Sequence, residues 1–104
     1  MTYSNPEYVG SLELDGELMR RVGLREGEYV AVWNVESGDR FETYVFAGGK
    51  GVVGVNGAAA HRAKVGDRLI IAAFTWTDEE IIPQVVLLGE KNEILKDLTP
   101  TPHG

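Results

Sequence analysis

With 104 residues the chain has room for one compact domain, since domains hold roughly 100 to 150 residues, and two catalytic domains are excluded. Hydrophobic residues at 43% and charged residues at 25% match a globular domain and exclude a disordered or fibrous chain. A net charge of -6 opposes a nonspecific hold on phosphate backbones or anionic lipid, so neither nucleic acid nor a membrane is an expected partner.

Residues 1–8 carry neither a basic start nor an apolar run, so no secretory signal is read there. Tyr8 to Leu14 predicts a short strand. Asp15 to Val22 follows as one or two helical turns, with Leu18, Met19 and Val22 at helical spacing, Asp15 as N-cap and Gly23 as C-cap. Glu28 to Val35 and Arg40 to Phe46 are β-rich runs joined by the turn residues Glu36 to Asp39, which predicts a hairpin. Five of the thirteen glycines then cluster as Gly48, Gly49, Gly51, Gly54 and Gly57. Within them Val52 to Val55 predicts a strand, Asn56-Gly57 a turn, and Ala58 to Arg62 one helical turn. Arg68 to Trp76 and Pro83 to Leu88 close the series of strands, and Leu98 to Gly104, with two prolines, reads as a flexible tail. Many short strands with little helix predict a mainly β single domain, a small closed barrel rather than a βαβ sheet.

Little here advertises chemistry. Gly49 to Gly54 spells G-x-G-x-x-G, but Val52, Val53 and Val55 continue as strand where a dinucleotide site needs a helix to open. Only His61 and His103 could start a metal site, and His61 has no second ligand at helical spacing, so no metal is expected. The lack of cysteine removes disulfides, thiolate sites and cysteine nucleophiles together and suits a cytoplasmic setting. Between residues 43 and 76 the only acid is Asp67, against Lys50, Arg62, Lys64 and Arg68, a locally basic stretch suited to a solvated rim or to a small anion. Taken singly, Arg40, Thr43, Tyr44 and Asn56 are ordinary strand and turn residues.

Taken together, several segments form a pattern: Tyr8-Val-Gly-Ser11, Trp33-Asn-Val35, Gly38, Arg40-Phe41, Thr43-Tyr44, Val55-Asn-Gly-Ala-Ala-Ala-His61, Val65-Gly-Asp67 and Ile70-Ile-Ala72. In this order and spacing they closely resemble the pyruvoyl-dependent aspartate 1-decarboxylases, which make β-alanine for pantothenate synthesis. The resemblance runs from Tyr8 to Glu93 and implies a small double-psi β-barrel with one or two short helices. It also implies a homotetramer with sites between neighbouring subunits, acting on a small acidic amino acid.

Decarboxylating an α-amino acid leaves an electron pair on carbon, for which no unmodified side chain is an adequate sink. The resemblance implies that Ser11 supplies the missing carbonyl. Its hydroxyl attacks the Gly10 carbonyl, the peptide bond becomes an ester, and β-elimination releases the carboxylate. Hydrolysis of the dehydroalanine leaves a pyruvoyl group at position 11 and separates residues 1–10. Gly10, without Cβ, lets that carbonyl be approached closely. Thr43 is the implied donor to the oxyanion, a role usually worth about 2.7 to 4 kcal/mol. The substrate amine then forms a Schiff base with the pyruvoyl group, carbon dioxide leaves, and Tyr44 protonates the carbanion as general acid. Arg40 is the implied bidentate grip on a substrate carboxylate. Asn56 and the backbone of Gly57, Ala58 and Ala59 are implied to line the pocket, with Tyr8 near the cut and His61 close by. Strand alternation gives only one of Thr43 and Tyr44 the side of Arg40, whereas the resemblance places both in the site.

The sequence departs from the family at its start, where Ser11 has only ten residues before it and the usual first strand and Lys-x-His stretch are largely missing. It is therefore expected to be an N-terminally shortened member. That leaves the substrate between aspartate and a substituted aspartate or other acidic amino acid. It also asks how the barrel closes, whether by a swapped strand or a maturation or complementing partner. The loop carrying Gly48 to Gly51 is shorter than in the family, and its Lys50 is the candidate for the absent charge. Two other classes stay open: an unprocessed homologue serving as a binding or regulatory subunit, in which Ser11 stays a serine, and a different lyase or hydrolase on the same barrel.

Overall fold

The structure, a computed structural model, describes residues 3–5 and 11–100, with backbone alone at 3–5, 58 and 59. Tyr8, Gly10 and His103 lie outside the described residues. In chain order come β1 (Tyr3–Asn5), β2 (Ser11–Asp15), α1 (Gly16–Val22), β3 (Tyr29–Asn34), β4 (Arg40–Gly48) and β5 (Val53–Asn56). A 3-10 turn, Gly57–Arg62, leads to β6 (Leu69–Ala73), β7 (Val86–Leu88) and β8 (Ile94–Asp97). The first six strands form one mixed sheet in the order β1-β5-β2-β4-β3-β6, and β7 and β8 pair separately. The domain is mainly β, as expected, and suits a small barrel, although no pairing that closes it is found among the described residues.

Strand alternation builds the core. Along β4 the side chains of Thr43 and Val45 turn inward while Arg40, Glu42, Tyr44 and Phe46 turn out. Leu12, Val30, Val45 and Val55, one from each of four adjacent strands, are fully buried at the centre. Burying each such side chain stabilises the fold by about 1.5 to 3 kcal/mol relative to exposure. Leu18 and Met19 of α1 seal one end of this layer.

The caps of α1 form as the sequence predicts. The Asp15 carboxylate accepts from the Glu17 and Leu18 N–H groups at 2.9 and 3.3 Å, and Gly23 closes the helix at φ 79. The same carboxylate accepts the Gly51 N–H at 2.8 Å, and the Gly51 carbonyl accepts from Asn92 at 2.8 Å. Gly51 stands at φ 75, and a Cβ there would lie 3.1 Å from the Lys91 carbonyl, so a side chain at this position would be strained and crowded. The glycine-rich loop thus fastens α1 to the late hairpin, while Val53–Asn56 continues as strand with no helix opening at Gly54.

The Gly51 N–H, as the largest influence, holds the Asp15 carboxyl below its ordinary value of 3.8. A lowered folded pKa contributes stability above the ordinary value that is lost as pH falls through the lowered one. Asp15→Ala is expected to lower the unfolding free energy by about 2 to 3 kcal/mol, through the lost cap and the orphaned Gly51 N–H. It should also flatten the loss of stability below pH 3.8. Urea unfolding at neutral and acid pH checks both.

Four features depart from the sequence reading. Tyr3–Asn5 forms a strand ahead of Ser11 and pairs in parallel with β5, so this stretch adds an edge to the sheet. Asn56-Gly57 is no hairpin turn: Asn56 ends β5, and Gly57, at φ 73, opens the 3-10 turn. Ile94–Asp97 forms β8, a four-residue strand exposed throughout, whose Ile-Leu-Lys-Asp order shows no alternation to announce it. Finally, at the start of the segment read as a flexible tail, Leu98 donates to the Val85 carbonyl at 2.7 Å and Thr99 accepts the Val85 N–H at 2.9 Å, while residues 101–104 lie outside the described residues. No helix among the described residues is long and apolar enough to cross a membrane.

Candidate active site

Ser11 begins β2, directly opposite Asn56 at the end of the antiparallel β5, and the Asn56 side-chain amide donates to its hydroxyl at 3.2 Å. On the other flank β2 runs parallel to β4 with Leu12 opposite Val45. One residue back, that register sets Ser11 level with Tyr44. Tyr44 in turn stands directly opposite Tyr29 on β3. Asn56, Ser11, Tyr44 and Tyr29 therefore form one row across four adjacent strands. Each is followed or preceded in sequence by one of the fully buried residues Val55, Leu12, Val45 and Val30, so the row stands on the outer side of the rigid core.

Within this row the two tyrosine rings touch, with centroids 5.6 Å apart and planes tilted by 59°. The Tyr29 hydroxyl donates to the Glu42 carboxylate, and this hydrogen bond raises the Tyr29 pKa above its ordinary 10.0. Tyr29 and Glu42 were not singled out from the sequence. Counting pairs outward from a turn at residues 36–39 would set Tyr44 against Ala31 and Tyr29 against Phe46; the observed register, with Trp33 opposite Arg40, is shifted by two and brings the tyrosines together.

Arg40 shares the outer face of Tyr44, as alternation predicts, but lies four residues along β4, about 13 Å away. There its guanidinium stacks over Trp33, opposite it on β3, at 4.9 Å from the ring centre. Thr43 points the other way and is only 7% exposed, against 52% for Tyr44. Lys50 belongs to the loop at the far end of β2, where Gly48 pairs with Asp15, so within one chain it is remote from Ser11 and acts on Asp15 instead.

The backbone of Gly57, Ala58 and Ala59 begins the 3-10 turn directly after Asn56, and His61 is exposed near its end. That turn is anchored by Asn34, 2% exposed, whose amide donates to the Arg62 carbonyl at 2.9 Å and the Asp67 carboxylate at 2.8 Å. The Trp33-Asn-Val and Val-Gly-Asp67 segments of the sequence pattern thus meet each other and hold the turn, at a distance from Ser11 along the chain.

A family model described as aspartate decarboxylase matches residues 1–95. The chain belongs to that family. It is 47% identical over 92 residues to an aspartate 1-decarboxylase of Thermotoga sp. (strain RQ2), covering 86% of this chain and 81% of the relative. An aspartate 1-decarboxylase of Kosmotoga olearia is 45% identical over 97 residues, covering 89% and 84%. One of Alcanivorax borkumensis is 42% identical over 100 residues, covering 90% and 79%. Against this family background the row of Asn56, Ser11 and Tyr44 is the candidate active site, because it sets a hydroxyl, an amide donor and a phenol side by side on neighbouring strands.

Proposed function

We propose that the chain is an aspartate 1-decarboxylase that converts L-aspartate to β-alanine and carbon dioxide, using a pyruvoyl group made from Ser11 by self-cleavage after Gly10. The observation that carries this reading is the Ser11–Asn56 hydrogen bond beside Tyr44 in a chain of the aspartate decarboxylase family. The residues fit the group. A pyruvoyl carbonyl would accept hydrogen bonds but donate none, and the Asn56 amide, which donates to the Ser11 hydroxyl before cleavage, would remain as a donor beside residue 11 once that oxygen has left with the Gly10 carboxylate. When formed, the group supplies an electron sink for the pair released as carbon dioxide departs.

The chain's own residues do the rest. Asn56 and the backbone of Gly57, Ala58 and Ala59 border the position where the substrate meets residue 11. Tyr44 carries the proton that the product carbon receives. Thr43 donates to the oxyanion formed during self-cleavage, from the inner side of the same strand. Arg40, held over the Trp33 ring, carries a guanidinium fork that matches a carboxylate in two parallel hydrogen bonds. Its distance from Tyr44 along one strand supports a site completed by another copy of the chain, whose Arg40 approaches from across an interface. The exposed Phe74, Trp76, Ile82, Leu87 and Leu95 supply apolar surface for such a homotetramer. A cytoplasmic setting belongs to the same proposal and rests on the cysteine-free composition.

Incubation with L-aspartate and chromatography of the amines tests the reading. β-Alanine should accumulate with one carbon dioxide per turnover. Arg40→Lys should raise KM for aspartate by about tenfold or more while leaving self-cleavage intact, because an ammonium cannot reproduce the bidentate grip. No β-alanine from fully self-cleaved protein, or product from another acidic amino acid alone, would overturn the assignment of aspartate.

A further inference from the structure

A half-exposed tyrosine on the outer face of a strand turns freely about its side-chain bonds unless something stops it, and a proton donor must be held in place to act. Among the described residues, the Tyr29 ring lies in contact with that of Tyr44. The two stand directly opposite across β3 and β4 with tilted rings in contact, the arrangement in which cross-strand aromatic pairs attract. Tyr29 is itself restrained, because its hydroxyl is tied to Glu42, which lies on the same face two residues before Tyr44. With its phenol proton committed to that carboxylate, Tyr29 is poorly suited to be the acid. Beneath both rings the backbone is fixed by the fully buried Val30 and Val45.

We propose that Tyr29 is a positioning residue: anchored by Glu42, its ring forms a wall that keeps the Tyr44 phenol aligned along the strand row with residue 11. The inference rests on Tyr44 being the proton donor of the proposed reaction. It assigns no contact with substrate to Tyr29 or Glu42.

The test uses the full self-processed protein. Tyr29→Ala is expected to lower kcat about tenfold, a loss typical of a modest misplacement of a catalytic group, with KM for aspartate and the fraction of self-cleaved chain unchanged. Tyr29→Phe keeps the ring and should bring kcat back to within about threefold of the parent. In a Tyr44→Phe background, Tyr29→Ala should cause no further loss of the residual rate. If the alanine variant does not fold, Tyr29→Leu, which keeps bulk without a flat ring, takes its place in the same comparison.

An unimpaired kcat in Tyr29→Ala, a loss confined to KM or to self-cleavage, or a failure of Tyr29→Phe to recover the rate would each overturn the role of Tyr29. Full activity of Tyr44→Phe would instead overturn the reading of Tyr44 on which it rests. A dead Tyr44→Phe beside a normal Tyr29→Ala rejects the positioning role alone.

Discussion

Ser11→Ala is expected to leave the chain whole and to abolish decarboxylation, because a methyl group has no oxygen to attack the preceding carbonyl and no leaving group to eliminate. The fold should survive the change. Ser11 is a half-buried residue at the start of β2, and its side-chain partner Asn56 is itself only partly buried and retains access to water. The cost in stability should stay near that of one ordinary hydrogen bond, about 1 kcal/mol. Gel electrophoresis with a β-alanine assay reads the outcome. Residual turnover in an intact Ser11→Ala chain would mean that another group serves as electron sink.

Tyr44→Phe separates the two halves of the chemistry. Self-cleavage asks for a hydroxyl at position 11 and an oxyanion donor, neither of which is the Tyr44 phenol, so the variant should cut itself fully. Decarboxylation ends with a proton delivered to carbon, and losing a positioned general acid commonly costs 10²- to 10⁴-fold in rate. A fall in kcat of about that size, with normal cleavage, is therefore expected. Because Tyr44 is 52% exposed and keeps its ring as phenylalanine, thermal unfolding should barely change. Parent-like turnover would remove Tyr44 from the reaction and leave the proton to water or to another side chain.

Local signals made part of this structure legible from sequence. Asp15 and Gly23 bracket α1 because a side-chain acceptor and a residue tolerant of positive φ are each needed within a few residues of the helix. The β3–β4 hairpin follows likewise from two alternating runs and a short turn, and alternation along β4 separates Thr43 from Tyr44.

What escaped is non-local or weakly patterned. Ser11 and Asn56 are 45 residues apart, and their contact comes from the antiparallel pairing of β5 with β2, which no spacing announces. Residues 3–5 hold no alternating run, and their parallel pairing with β5 depends on a strand fifty residues later. The glycine cluster was visible, but its role needed the Asp15 carboxylate and the Asn92 amide, which approach Gly51 from opposite ends of the sequence. The family resemblance supplied roles for the site residues. The strand register supplies what it lacked, a row running from Asn56 through Ser11 and Tyr44 to Tyr29.

The intact mass of the purified protein tests the central claim most directly, since everything proposed for the site depends on a carbonyl made at position 11. Two species are predicted: a peptide of residues 1–10, and a fragment beginning at position 11 whose mass matches a pyruvoyl group and which resists amine-directed sequencing. A single uncut chain of 104 residues that nevertheless forms β-alanine from aspartate would contradict the account.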